Sequence, residues 1–186
     1  MVEDASKRDR ILSREFVDAW AARYDYGDEE EEARLKAWLQ GEFRRGRRYL
    51  DKAHFVEIGR WKSRRPLRHY QSNDEDLVRQ VTALAFAARR DDLRLRLLTL
   101  LDGVGVPVAS TILHFAFPDR YAIMDVRAVT TLTYLGLWTS PVQFSVADWQ
   151  VYTHLMREHA GTLGVTLRDL DKALWKFDEA RTRGRS

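Results

Sequence analysis

The sequence predicts an all-α fold with about eight helices. Apolar residues recur three and four positions apart along most of the 186 residues. Ser, Thr, Asn or Asp precedes most of these periodic runs, where a helix needs acceptors for its first N–H groups. No stretch alternates apolar and polar residues between turn signals, so no segment reads as a strand. A packed core is affordable: 45% of the residues are hydrophobic and six are Trp, unlike a disordered chain.

The first predicted helix runs from Ser6 to Tyr24. Ile11, Leu12, Phe16, Val17 and Trp20 form its inner face, Ser6 caps it with Asp9 as the capping-box acid, and Gly27 ends it. Asp28 caps a second helix to about Arg45, with Leu35, Trp38, Leu39 and Phe43 as its stripe. Glu29 to Glu32 fill its first turn and Arg44, Arg45, Arg47 and Arg48 its end, the polarity that the helix dipole favours. Both charge runs read as end complementarity and solubility, with binding as the alternative for the arginines. Tyr49 to Trp61 is the third helix, with Leu50, Phe55 or Ala53, Ile58 and Trp61 inward.

That helix runs into the most basic segment, Arg60 to Tyr70. Arg60, Lys62, Arg64, Arg65 and Arg68 fall there with Trp61 and Tyr70, beside Pro66. Cations neutralise phosphates and aromatics stack on bases; the competing reading is an exposed loop with Trp61 in the core. Asn73 or Asp74 caps a helix through Ala88, with Leu77, Val81, Leu84 and Ala85 on one face. Leu93 to Leu101 and Val106 to Phe117 follow as two more helices. The second is apolar nearly all round, which marks it as central and buried. His114 inside it reads as a core residue bonded to a backbone group.

After the loop Pro118 to Asp125, a helix covers Val126 to Leu137, with Val126, Val129, Leu132 and Leu135 apolar. Residues 136–144 are a loop. Ser145 caps Val146 to His159, with Trp149, Tyr152 and Met156 inward; Gly161 and Gly164 punctuate. Thr166 caps Leu167 to Ala180, in which Leu170, Leu174, Trp175 and Phe177 pack. The tail Arg181 to Ser186 is basic and read as mobile.

The stretch Leu98 to Arg127 organises the chain. Leu98 and Leu101 share a helical face. Gly103 and Gly105 permit positive φ, Pro107 suits the first turn of a helix, and Ala109 allows close helix approach. A helix, a tight hairpin and a second helix result, with unpaired N–H groups at the second helix's start that suit a phosphate. Asp125 stands twenty residues after Gly105.

Leu98, Leu101, Gly103, Val104, Gly105 and Ala109, with Asp125 in Tyr-Ala-Ile-Met-Asp-Val-Arg, resemble the helix-hairpin-helix DNA glycosylase superfamily. The resemblance covers roughly thirty residues and is most specific in pairing the hairpin with the spaced Asp. It implies a two-lobed helical fold. One lobe, 28–117, contains the hairpin at 93–117; the other joins 1–27 to 118–186; the cleft lies between. Two positions depart from the pattern. Asp102 replaces a Pro before the first Gly. Pro107 stands where lyase members carry Lys, which excludes an imine at that position because only an amine forms one. Lys62, after Trp61, is another amine of interest.

The resemblance implies a monofunctional glycosylase that excises a damaged or modified base. Asp125, also a natural N-cap for the helix at Val126, would stabilise the oxocarbenium-like transition state and position water. The base must leave the stack to be reached. Gly103, Val104, Gly105 and Val106 would hold the DNA backbone, with Arg60, Lys62, Arg64 and Arg65 as further DNA contacts. Trp61 and Arg127 would line the substrate pocket. Thr130, Thr131 and Tyr134 are read as packing. The partner is double-stranded DNA and the state a monomer. No cofactor is required, though a monovalent cation at the hairpin carbonyls is carried over as possible.

Zero Cys excludes thiolate metal sites, and with them the four-Cys iron–sulfur cluster of some members. His154 and His159 lie off a common helical face, and no metal site is expected. No phosphate loop, dinucleotide glycine pattern or Ser-His-Asp order stands out. The net charge of +3 and pI near 9.3 agree with a nucleic-acid partner without requiring one. No leader and no apolar run long enough to span a membrane is read, so a cytoplasmic location is expected, nucleoid-associated if the source is bacterial. Two rivals are a DNA-binding protein that has lost catalysis and an interaction module whose hairpin binds protein.

Overall fold

The computed structural model describes residues 11–25 and 29–184. Among the described residues it is all-α, with no strand and ten helices rather than about eight. These are α1 (Arg14–Ala21), α2 (Glu29–Arg44), α3 (Lys52–Lys62), α4 (Leu67–Ser72), α5 (Glu75–Ala87), α6 (Asp91–Leu98), α7 (Val106–Ala116), α8 (Val126–Tyr134), α9 (Val146–Leu163) and α10 (Leu167–Arg183). No helix among the described residues is long and apolar enough to cross a membrane.

Several boundaries differ from the sequence reading. The expected capping by Ser6 and Asp9, the Gly27 break and the Asp28 cap lie outside the described residues. Helix α1 begins at Arg14, where the Ser13 hydroxyl accepts from Phe16 N–H; Ile11 stands outside the helix and is 64% exposed. Helix α4 stands in the basic segment, where an exposed loop is one of the two sequence readings. On α5 the stripe is Val78, Val81, Thr82, Ala85 and Phe86, while Leu77 and Leu84 face outward. Burial of Thr82 costs little because its hydroxyl accepts from Leu50 N–H and donates to Val78 O. Gly161 lies inside α9; Gly164, at φ 66, ends it. Helix α10 runs three residues past Ala180, so Arg181 to Arg183 are helical. Val126, expected apolar and inward, is exposed.

Helix α7 is the centre. All its residues from Val108 to Ala116 are buried, as an all-round apolar helix should be. Helices α2, α3, α6 and α9 pack on it, and α10 packs on α1 and α8. The arginines at the end of α2 make side-chain contacts. Arg45 and Arg47 pair with Glu42, and Arg48 lies over the Phe43 ring.

The chain before Asp125 is pinned by three hydrogen bonds from the core. The His114 ring bonds Tyr121 O through Nδ1 at 2.7 Å. Met124 N–H donates to Ser110 Oγ at 2.9 Å, and Tyr152 O–H donates to Ile123 O at 2.9 Å. His114 is therefore a structural residue. Burial drives its pKa down to about 3, so its ring is neutral and Nδ1 carries the donated hydrogen.

Candidate functional site

Asp125 closes the pinned segment and opens α8. Its backbone is extended, and its Oδ1 accepts from Arg127 N–H at 3.0 Å, so the expected N-cap is present. Its other oxygen meets a partner from far along the chain. Lys62 Nζ, in the last turn of α3, donates to Asp125 Oδ2 at 2.5 Å. The side chains are 12% and 19% exposed, so the pair is largely shielded from water. Burial alone would raise the Asp125 carboxyl. The Lys62 ammonium, the Arg127 N–H and the Arg127 charge outweigh it and hold the group below the ordinary carboxylate range.

Two adjoining cavities share this pair. The larger, about 1340 Å³, is lined by Arg60, Lys62, Arg64 and Arg65, by Glu29, Glu30 and Glu31, and by Pro107 and Phe144. Phe144 is the sole non-glycine residue at positive φ (52) among the described residues, a conformation kept where surroundings enforce it. The smaller cavity, about 510 Å³, is walled by Tyr24, Trp61 and Trp175, with Arg168 and Asp171 among its polar groups. Its volume falls in the range of small-molecule sites.

The candidate residues divide between these features. Trp61 lines both cavities and packs edge-on against Phe115. Arg127 lines the smaller one, but its guanidinium is held by Asp178 at 3.0 Å and lies over Trp175. Arg60 pairs with Glu31. Among the described residues Arg64 and Arg65 have no ion-pair partner, and both are exposed.

Gly103, Val104 and Gly105 line neither cavity, and the hairpin reaches the larger one through Pro107. Of the two hairpin glycines, Gly103 uses positive φ (83). Gly105 has φ −88 and serves as the N-cap of α7, which corrects the expectation that both need that freedom. Val104 N–H is not unpaired as expected: it donates to Leu101 O, and Val104 is buried. No side chain caps α7, and the N–H groups of Gly105, Val106 and Val108 are unpaired among the described residues. Asn73 clamps the hairpin instead of capping α5. Its Oδ1 accepts from Asp102 N–H and its Nδ2 donates to Asp102 O, while Asp74 provides the cap.

Sequence reasoning missed the charged cluster behind the pair. Arg168 donates to both oxygens of Glu32 and also pairs with Asp171. Burial raises the Glu32 carboxyl, but Arg168 and Lys36 outweigh it and hold it at about 2. Asp171 is wholly enclosed, and this burial pushes it up to about 6 despite Arg168 and Lys62; its Oδ1 has no hydrogen-bond partner among the described residues. Tyr24, in the same cavity wall, is pushed up by burial to about 12. Glu32, read as a solvated first-turn residue, is in fact buried. The one sequence signal was Arg168 and Asp171 lying three apart beside Leu167, Leu170 and Leu174.

Among the described residues no three metal-binding side chains gather, and the chain has no Cys, so a cysteine-held iron–sulfur cluster has no ligands. Comparison of the chain with protein-family models, with curated proteins and with solved structures found no match in any of the three.

Proposed function

We propose that this chain removes a damaged or modified base from double-stranded DNA by hydrolysing its N-glycosidic bond, on a two-lobed helix-hairpin-helix glycosylase fold. The observation that carries the reading is the position of Asp125. It is an ionised carboxylate, fixed as a helix cap at the wall common to two cavities, twenty residues after a hairpin with free N–H groups at the start of α7.

An ionised carboxylate at that wall stabilises positive charge developing on deoxyribose and orients the attacking water. The smaller cavity offers aromatic walls for a base that has left the stack. The free N–H groups at α7, with Arg64 and Arg65, offer donors and charge for the phosphates.

A second reading, DNA binding without base removal, is favoured by one observation. The Lys62 ammonium already sits on Asp125 Oδ2 at 2.5 Å and offsets the charge that the transition state needs.

Base release from a panel of lesion-containing duplexes, with the wild type beside Asp125→Asn, separates the two. Asn can still cap α8, so the fold is expected to survive. Release that disappears in the variant while DNA binding persists supports base removal. Binding without release from any lesion supports the second reading. Absence of salt-dependent DNA affinity counts against both.

A further inference from the structure

Asp171 uses only one of its carboxylate oxygens within the chain. Its Oδ2 accepts from Arg168, while its Oδ1 is buried and has no hydrogen-bond partner among the described residues. The residue is 3% exposed, so bulk water does not serve that oxygen. The nearby Lys62 ammonium is directed to Asp125 instead. An unpaired buried carboxylate oxygen is costly and rare, and it calls for a donor from outside the chain.

The place defines the donor. Asp171 lines the smaller cavity, whose wall includes Tyr24, Trp61 and Trp175. Its volume of about 510 Å³ is far more than one water needs and suits a flat heterocycle. An ionised carboxylate oxygen accepts and cannot donate, so the group that meets it must carry N–H. The DNA bases divide on this point. Adenine, cytosine and guanine each carry an exocyclic amine, which projects beyond the ring and reaches an enclosed oxygen. Hypoxanthine and uracil are adenine and cytosine with that amine replaced by a carbonyl oxygen, which the carboxylate repels. Their ring N–H groups sit beside carbonyl oxygens that would meet the same repulsion.

We propose that Asp171 selects the base to be excised, accepting a hydrogen bond at Oδ1 from the exocyclic amine of an adenine-, cytosine- or guanine-derived base in the smaller cavity. The proposal rests on the base-removal reading for the presence of a base there, and it names the class of base which that reading leaves open.

Matched free bases test the contact apart from any chemistry: 9-methyladenine against 9-methylhypoxanthine, and 1-methylcytosine against 1-methyluracil. The methyl group stands for the sugar and removes the N–H at that nitrogen. Binding to the full chain is followed by tryptophan fluorescence, since Trp61 and Trp175 line the cavity. The titrations are run at pH 8, where Asp171 is ionised. The wild type should prefer the amine in each pair by about tenfold to a hundredfold, the range of a hydrogen bond to a charged group. Asp171→Asn turns its carbonyl oxygen to Arg168, which only donates, and sets an NH2 group at the place of Oδ1. Its preference should reverse toward the carbonyl member of each pair. Asp171→Ala offers neither group and should flatten the preference. Thermal melting checks the fold of both variants.

Equal binding within both wild-type pairs, binding of none of the four bases, or variants that weaken all four alike without changing the preference overturns the proposal. Base release from the lesion panel is scored separately. Release together with equal binding in the matched pairs sinks this proposal alone. Amine selectivity that reverses in Asp171→Asn, with no release from any lesion, sinks base removal alone.

Discussion

Gly103 lies against the Tyr70 ring so closely that a Cβ there would stand 2.9 Å from Tyr70 Cδ1 and 2.9 Å from His69 Cβ. Gly59 meets the other edge of the same ring, where an added Cβ would stand 2.9 Å from Cδ2. One aromatic thus fits between two glycines, on α3 and on the hairpin, and joins the basic segment to the hairpin.

Gly103→Ala should therefore destabilise strongly. Left-handed backbone costs a side chain roughly 1–2 kcal/mol, and overpacking adds about 1–3 kcal/mol. Gly105→Ala meets ordinary backbone and nothing nearer than Pro107 Cδ at 3.8 Å. Weaker capping by Ala and the reduced entropy of the unfolded chain roughly cancel there. Denaturant unfolding should show a large loss for the first and little change for the second. DNA binding should reverse the emphasis: the Gly105 variant, with normal stability, should bind more weakly because its methyl group obstructs a phosphate at the free N–H groups.

The pinned segment before Asp125 makes a second prediction. Ser110→Ala leaves Met124 N–H buried without an acceptor, a loss of about 1–3 kcal/mol. Tyr152→Phe likewise strips Ile123 O of its donor. Both changes lie away from the cavities, yet both loosen the segment that aims Asp125. Each should lower base release by more than its effect on DNA affinity, measured at a temperature where the variants remain folded.

Glu32 sets an acid limit. Its folded value of about 2 lies below its ordinary 4.5, so the folded state binds the proton less readily than the unfolded chain. The stabilisation is complete above about pH 4.5 and is lost as pH falls toward 2, on the order of 3 kcal/mol in all. His114, held down at about 3, acts in the same direction between its ordinary 6.5 and 3. Melting temperature should fall on acidification, and Glu32→Gln should flatten the lower part of that fall.

The hairpin and the Asp125 cap were legible because both are local chemistry: Gly103 for a left-handed turn, Pro107 for a first helical turn, Asp125 for the next helix start. The all-α class and the central burial of α7 followed from periodicity and apolar content. The α5 face was misread because Leu77 and Leu84 fit a helical stripe as well as Val78, Thr82 and Phe86 do. Periodicity alone cannot choose between stripes when a threonine is satisfied in the core. The Lys62–Asp125 and Glu32–Arg168 pairs span 63 and 136 residues of sequence. Nothing local marks such a lysine or glutamate as buried, since exposed ones look the same in sequence.

Asp171 should give the opposite pH signature from Glu32. Burial sets its folded value at about 6, above the ordinary 3.8. Here the folded state holds the proton more tightly than the unfolded chain, so ionisation between about pH 3.8 and 6 lowers stability as pH rises. Asp171→Asn removes that loss while retaining a carbonyl oxygen toward Arg168, which keeps Glu32 as its charged partner. The variant's stability relative to wild type should climb across that interval and level off above it. A relative stability that stays constant with pH would mean that Asp171 ionises normally and that Arg168 fully compensates its burial. If the enclosed carboxylate instead serves a ligand in the smaller cavity, the same variant should gain stability at neutral pH and lose base release there. Unfolding and base-release measurements on one preparation over pH 4 to 8 read both effects.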